Sequence, residues 1–376
     1  MKPLSLYIHI PYCLEKCPYC DFHSIATPKE EVPHQDYAEQ LVAQMHFEVE
    51  RMRLQQHPLL SIFFGGGTPS LMNPGFFETV LSEANRHFAF EKNIEITVET
   101  NPATATRADF KKWIGLGTNR VSFGVQSFQN PLLKKLGRNH SSQEARKAIH
   151  AALDAGFSNV SLDLIFGIEG QTMQALEKDL QEALSFNLPH VSAYQLTVEA
   201  GTPLAAWVNQ GRFQIPPEEK LIAMHNKVAE SFEMAGLKRY EVSNYAKPGF
   251  ESRHNLQYWR YGDYLGIGSG AVSSVQGKRW RTTRKLKEYM DGNLQHEEEE
   301  VIDSKTALKE KWMMGLRLSE GVSLDFAEDS WRPKLLEWEQ DGLLHQIEGK
   351  IKVTPKGILV LNQITQNVFD LVDRMW

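Results

Sequence analysis

The chain has 376 residues, enough at roughly 150 residues per domain for two or three domains and for a core that needs no disulfide. Hydrophobic residues make up 41% and charged residues 23%, and 41 Lys and Arg against 47 Asp and Glu leave a net charge of −6, so a broadly basic nucleic-acid surface is not expected. The three cysteines all lie between Cys13 and Cys20, too few and too clustered for a secreted disulfide framework.

The start of the chain carries one Lys and a short apolar stretch interrupted by His9 and Pro11, so no signal peptide is expected from it. No apolar run approaches ~18 residues, so a cytoplasmic protein with no direct membrane span is expected. Short runs rich in Ile, Val and Phe at Leu4–Ile10, Leu59–Phe64, Ile94–Thr100, Arg120–Val125, Val160–Phe166 and Val191–Leu196 read as buried strands. Amphipathic stretches alternate with them, near Asp36–Arg53, Pro74–His87, Thr106–Leu116, Pro131–Leu136, Ser142–Ala155 and Thr172–Phe186. Thr106, Ser141 and Thr172 are N-cap signals, and Gly117 and Gly156 are stop signals. Strands that alternate with helices imply a parallel α/β sheet, and the runs read as mostly continuously apolar, as strands buried on both faces should be. Periodicity leaves open whether the sheet is doubly wound or curled into a barrel. In both, the chemistry belongs at the C-terminal strand ends, where Cys13–Cys20, Gly65–Thr68, Glu99, Gln126 and Asp163 fall.

Gly211, Pro216 and Pro217 mark a connector. A helix over Glu218–Ala235 follows, then an aromatic, Gly-rich, extended stretch over Lys238–Thr283. Helix returns after Thr283, and the acidic run Glu297–Glu300 reads as the cap of a solvated helix or loop. The last segment predicts helices at Lys305–Leu318, Arg332–Gln340 and Pro355–Ile364, with a hairpin over His345–Thr354 turning at Gly349. That order is winged-helix-like, but no basic stripe accompanies it, so it is assigned a covering role rather than nucleic-acid binding.

Cys13, Cys17 and Cys20 form C-x3-C-x2-C. With His23 they would make a Cys3His zinc site; Cys17–Cys20 alone would make a redox pair; three thiolates can also hold three irons of a [4Fe–4S] cluster and leave the fourth iron open. Gly65-Gly-Gly-Thr-Pro69 follows the second strand, and consecutive glycines let a ligand approach the backbone.

The cysteine spacing just after the first strand of a β/α unit resembles the radical S-adenosylmethionine (SAM) superfamily. The resemblance implies an incomplete parallel (β/α)6 barrel, here over residues 1–215, with SAM chelated to the open iron of the cluster. It carries SAM contacts over to Tyr7, Tyr19, Gly66, Gly67, Thr68, Glu99, Gln126, Arg138 and Asp163, and cluster ligation to Cys13, Cys17 and Cys20. The phrases Tyr7-Ile-His-Ile-Pro-Tyr-Cys13, Gly124-Val-Gln-Ser-Phe128, Leu136-Gly-Arg138 and Asp163-Leu-Ile-Phe-Gly167 resemble the oxygen-independent coproporphyrinogen III oxidase group over nearly the whole chain.

That group contains true dehydrogenases and a heme-chaperone type. The dehydrogenases carry a further cysteine where this chain has Phe22, and a long arm before the cluster loop where twelve residues precede Cys13 here. His254-Asn-Leu-Gln-Tyr-Trp259 resembles the HNxxYW heme motif of the chaperone type. This implies heme contacts from His254, Tyr258 and Trp259 in a middle segment over 216–300, covered by the module at 301–376. A histidine can serve as axial ligand, aromatic rings can face a porphyrin, and Arg253 and Arg260 can pair with propionates. Val272 stands where the family loop often has His, which counts against a second histidine ligand. The resemblance further implies recipient hemoproteins such as respiratory enzymes, an electron donor and cluster-dependent homodimerisation. The alternative activity is oxidative decarboxylation of coproporphyrinogen III.

Overall fold

The computed structural model describes residues 2–375. Six parallel strands run in chain order: β1 (Leu4–Ile10), β4 (Pro58–Gly66), β5 (Ala89–Thr100), β6 (Arg120–Gln126), β7 (Asn159–Phe166) and β8 (His190–Gln195). Between β1 and β4 the two-residue strands β2 (Tyr12–Cys13) and β3 (Ile25–Ala26) pair in parallel and pinch the cysteine loop at its base. The crossover helices are α1 (His34–Met52), α2 (Pro74–His87), α3 (Arg107–Gly115), α4 (Asn130–Lys135), α5 (Ser142–Ala155) and α6 (Met173–Ser185). The N-cap signals act as read. Thr106 and Ser141 each close a capping box, with Asp109 and Glu144, and the Thr172 hydroxyl accepts from the Ala175 amide.

The strands are not apolar on both faces. Leu6 and Ile8 of β1, Ile62 and Phe64 of β4, Val121 and Phe123 of β6, and Leu162 of β7 join the buried residues of the crossover helices in one core. The alternate residues, Ser5, Ser61, Thr97, Arg120, Ser122, Ser161 and His190, are equally buried but polar. A doubly wound sheet would carry helices on both faces. Here the helices pack on one face, and the sheet curls its polar face inward as an incomplete barrel.

The later segment extends this same sheet. After α7 (Pro203–Asn209) and α8 (Glu218–Met234), the short strands β9 (Lys238–Arg239) and β10 (Asn244–Ala246) add antiparallel to the β8 edge. Beyond α9 (Arg253–Trp259), β11 (Tyr264–Ile267) pairs in parallel with β1. Antiparallel β12 (Val272–Val275), β13 (Lys278–Thr282) and, after α10 (Leu286–Met290), β14 (His296–Val301) complete that edge.

Glu297–Glu300 is therefore not a cap or loop but part of edge strand β14. Arg279 and Arg281 of β13 stand across from the run and pair with Glu300, Glu297 and Glu298, so cross-strand charge pairing overrides the poor strand propensity of glutamate.

The C-terminal unit contains α11 (Ser304–Gly315), β15 (Val322–Ser323), α12 (Arg332–Gln340), the hairpin β16 (Leu344–Ile347) and β17 (Lys350–Val353), α13 (Pro355–Ile358) and α14 (Leu361–Asp373). Trp312, Trp331 and Trp338 centre a separate core. The single helix expected over Pro355–Ile364 is broken between α13 and α14, and α14 runs on to Asp373 because Ile364, Val368 and Val372 continue one apolar face. Among the described residues no helix is long and apolar enough to cross a membrane.

Gly266 ties β11 to β1, opposite Tyr7. A Cβ there would lie 2.1 Å from the Val272 carbonyl oxygen, which is backbone and cannot swing aside. Gly266→Ala is expected to cost about 2 kcal/mol or more, read as a lower urea midpoint at unchanged slope.

Candidate functional site

The cysteine loop leaves β2 and returns through β3, with the Thr27 amide donating to the Cys13 carbonyl at 2.7 Å. Lys16 Nζ crosses the loop to the Phe22 carbonyl at 2.9 Å. The three thiols are free and face one cavity of about 340 Å³ over the C-terminal strand ends. The Thr68 hydroxyl donates to Cys13 Sγ at 3.4 Å, and Arg138 Nη1 to Cys17 Sγ at 3.4 Å. Burial pushes the Cys13 and Cys20 thiols up.

Tetrahedral zinc would draw its sulfurs to about 3.8 Å apart, given Zn–S near 2.3 Å. Among the described residues, only His46, Glu83 and His87 form a group of three or more whose ligand atoms all lie within 4.8 Å of one another. The cysteines do not converge on one small ion, and His23 lines a different cavity. Three spread thiols with N–H and O–H donors aimed at sulfur suit a larger cluster better than zinc.

The glycine loop forms the second wall. A Cβ on Gly67 would sit 2.7 Å from the Tyr12 carbonyl and 3.0 Å from Cys13 Sγ, so only glycine lets the two loops touch. The Gly66 amide donates to Glu99 Oε2 at 3.2 Å. Gln126 has φ 68, at a register break in the β6–β7 pairing. Arg138 Nη2 donates to the Gly124 carbonyl at 2.8 Å, and Ser122 Oγ to Asp163 Oδ1 at 3.4 Å. Burial, then the charge of Asp163, raises Glu99 to about 8.

Tyr19, Gly66, Gly67, Thr68, Glu99, Gln126, Arg138 and Asp163 thus meet the cysteines around one space. Tyr7 stands behind Gly65, its hydroxyl 3.1 Å from His9 Nδ1, and lines the neighbouring cavity instead. Sequence reasoning passed over Arg120, which is buried on the polar face with Nε unpartnered and helps hold both Glu99 and Asp163 down against burial. It lies in the run Arg120–Val125 that reads as a buried strand, but nothing in the local sequence marks its side chain as facing the site.

The HNxxYW residues are dispersed. Glu95 accepts from the Arg253 and His254 amides at 3.1 Å each and fixes the first turn of α9 against the barrel. His254 is buried; its Nδ1 meets Ser61 Oγ at 2.9 Å and its Nε2 meets the Tyr258 hydroxyl at 2.8 Å. Burial, then the charge of Arg120, lowers it to about 3, so it is neutral. His254 and Trp259 line neither cavity, whereas Tyr258 lines the second. Arg253 is paired with Glu91, and Arg260 holds Glu320 through two bonds. Both arginines are already neutralised by acids.

A model of the radical SAM superfamily matches residues 7–183, and one of the HemN C-terminal domain matches 302–360. The chain is 40% identical to the heme chaperone HemW of Haemophilus influenzae over 88% of this chain and 86% of that protein. It is 37% identical to HemW of Escherichia coli over 97% and 98%. The solved coproporphyrinogen III oxidase (HemN) of E. coli superposes with a TM-score of 0.79, covering 97% of this chain and 89% of that one, at 21% identity. That likeness is one of fold. Fold and cluster loop together define a radical SAM protein. Within that superfamily the chain belongs to the HemW family.

Glu99 offers a test of the site's electrostatics. A folded-state pKa near 8, above the ordinary 4.5, means folding favours the neutral acid. That contribution is intact below the unfolded carboxylate range and is lost as pH rises through about 8. Glu99→Gln is therefore expected to melt a few °C above the wild type at pH 9, with the gap closing below pH 5; a pH-independent difference would contradict it.

Proposed function

We propose that this protein binds heme and hands it to hemoproteins, using a [4Fe–4S] cluster and SAM. One observation carries the reading: near-full-length identity of 37–40% with proteins named heme chaperones. In this reading residues 1–215 hold the cluster on Cys13, Cys17 and Cys20, 216–300 serve heme, and 301–376 cover the sites. Cys13, Cys17 and Cys20 would hold the cluster, which would supply an open iron for SAM and the electron for its reduction. The chain's own residues do the rest. Gly66 and Gly67 offer backbone, and Thr68 and Arg138 hold the sulfurs. Glu99, Asp163, Gln126 and Tyr19 face the remaining polar groups of SAM.

Recipients such as respiratory enzymes, an external electron donor, a homodimer and a cytoplasmic setting complete the proposal. Porphyrin oxidation has less support: the likeness to HemN is one of fold, and Phe22 stands where the resemblance places the dehydrogenases' further cysteine.

Heme titrated into the cluster-loaded protein is expected to give a saturable Soret difference band. The same preparation, given coproporphyrinogen III and reductant without oxygen, is expected to form no protoporphyrinogen IX. Turnover that disappears in Cys17→Ser would reverse the assignment.

A further inference from the structure

A second cavity, of about 620 Å³, adjoins the cluster cavity and falls within the range of small-molecule sites. One wall is the far side of the cysteine loop, Phe22 and His23; the other comes from Tyr258 at the end of α9 and Met313 and Met314 of α11. Phe22 is 59% exposed and borders both cavities, so an apolar ring is offered to whatever lies there. Tyr258 packs edge-on against Tyr264 at 4.6 Å, which fixes its ring on the opposite side. At the rim Arg279 is committed to Glu310 and Glu300, while exposed Arg284 makes no salt bridge among the described residues.

The hydrogen bonds of His23 fix its tautomer. Ser269 Oγ donates its one proton to the Thr283 carbonyl at 2.9 Å. It must therefore accept from His23 Nε2, 3.1 Å away. The proton sits on Nε2, and Nδ1 keeps its lone pair. A Cβ on Gly270 would lie 2.7 Å from His23 Cδ2, so that ring edge is against the loop and the edge bearing Nδ1 is turned from it. A histidine whose one nitrogen is anchored by donation and whose other is bare has the arrangement of a metal ligand. Its backbone is held from behind, where His9 Nε2 donates to the His23 carbonyl at 2.8 Å. Burial, then the charge of Arg284, lowers the His23 pKa, which keeps the imidazole neutral. His254 is the reverse case, buried with both nitrogens engaged.

We propose that heme sits in this second cavity with His23 Nδ1 on its iron, Phe22 and Tyr258 against the macrocycle and Arg284 on a propionate, and that His254 is a positioning residue acting through Tyr258. The proposal rests on the heme-binding reading and assigns its site.

The test is heme titration of the cluster-loaded full-length protein, followed by difference absorbance and magnetic circular dichroism. His23→Ala is expected to weaken binding at least tenfold and to remove the imidazole-ligand signature, with added imidazole restoring it. His23→Gln keeps a donor for Ser269, and so the loop, but brings no imidazole; it is expected to behave alike. His254→Gln is expected to weaken binding only a few-fold and to keep the signature. An unchanged spectrum and affinity in both His23 variants, or loss of the signature in His254→Gln, would overturn the assignment while leaving heme binding standing. No saturable Soret band from the wild type would remove the heme-binding reading itself.

Discussion

A sheet that buries polar side chains on one face must satisfy them from within, because an unpartnered buried polar atom costs about 1–3 kcal/mol. Two relays meet much of this demand, although Arg120 Nε and Thr97 Oγ1 have no partner among the described residues. Ser5, Ser61, His254 and Tyr258 run from β1 through β4 to α9. Ser161, His190, Tyr240 and the Ser252 amide run from β7 through β8 to the start of α9. Both end on the short segment that Glu95 also anchors, so α9 plugs the polar interior. This explains how a seven-residue helix, too short to persist alone, holds its place.

The plugged interior sets the stage for the cluster loop. With one end closed, the open space lies at the C-terminal strand ends, where a loop of three cysteines meets a loop of glycines. The contacts there are short-range and backbone-rich, and Cys13 Sγ and the Tyr12 carbonyl leave no room for a side chain at residue 67. The acids Glu99 and Asp163 stand across this space, where burial outweighs the steadying charges of Arg120 and, at Asp163, Arg138, an arrangement suited to a cationic ligand.

Much of this was legible in the amino-acid order. Thr106, Ser141 and Thr172 start helices as their side chains require, and the cysteine and glycine motifs fall at strand ends as the β/α alternation demands. What was not legible depends on partners far along the chain. His254 and Tyr258 are four residues apart and share a helix face, but only Ser61, 193 residues away, decides that this face is inward. Nothing in the local sequence marks Arg120 as facing the site until the curl of the sheet encloses it. Glu297–Glu300 looks solvated until Arg279 and Arg281 arrive beside it.

Phe22, set between the two cavities, gives the molecule a property that neither site has alone. Ligands that press on opposite sides of one movable ring are thermodynamically linked, so each alters the affinity of the other by the same factor. An occupant on the cluster side that shifts the ring reshapes the neighbouring wall without touching the molecule held there.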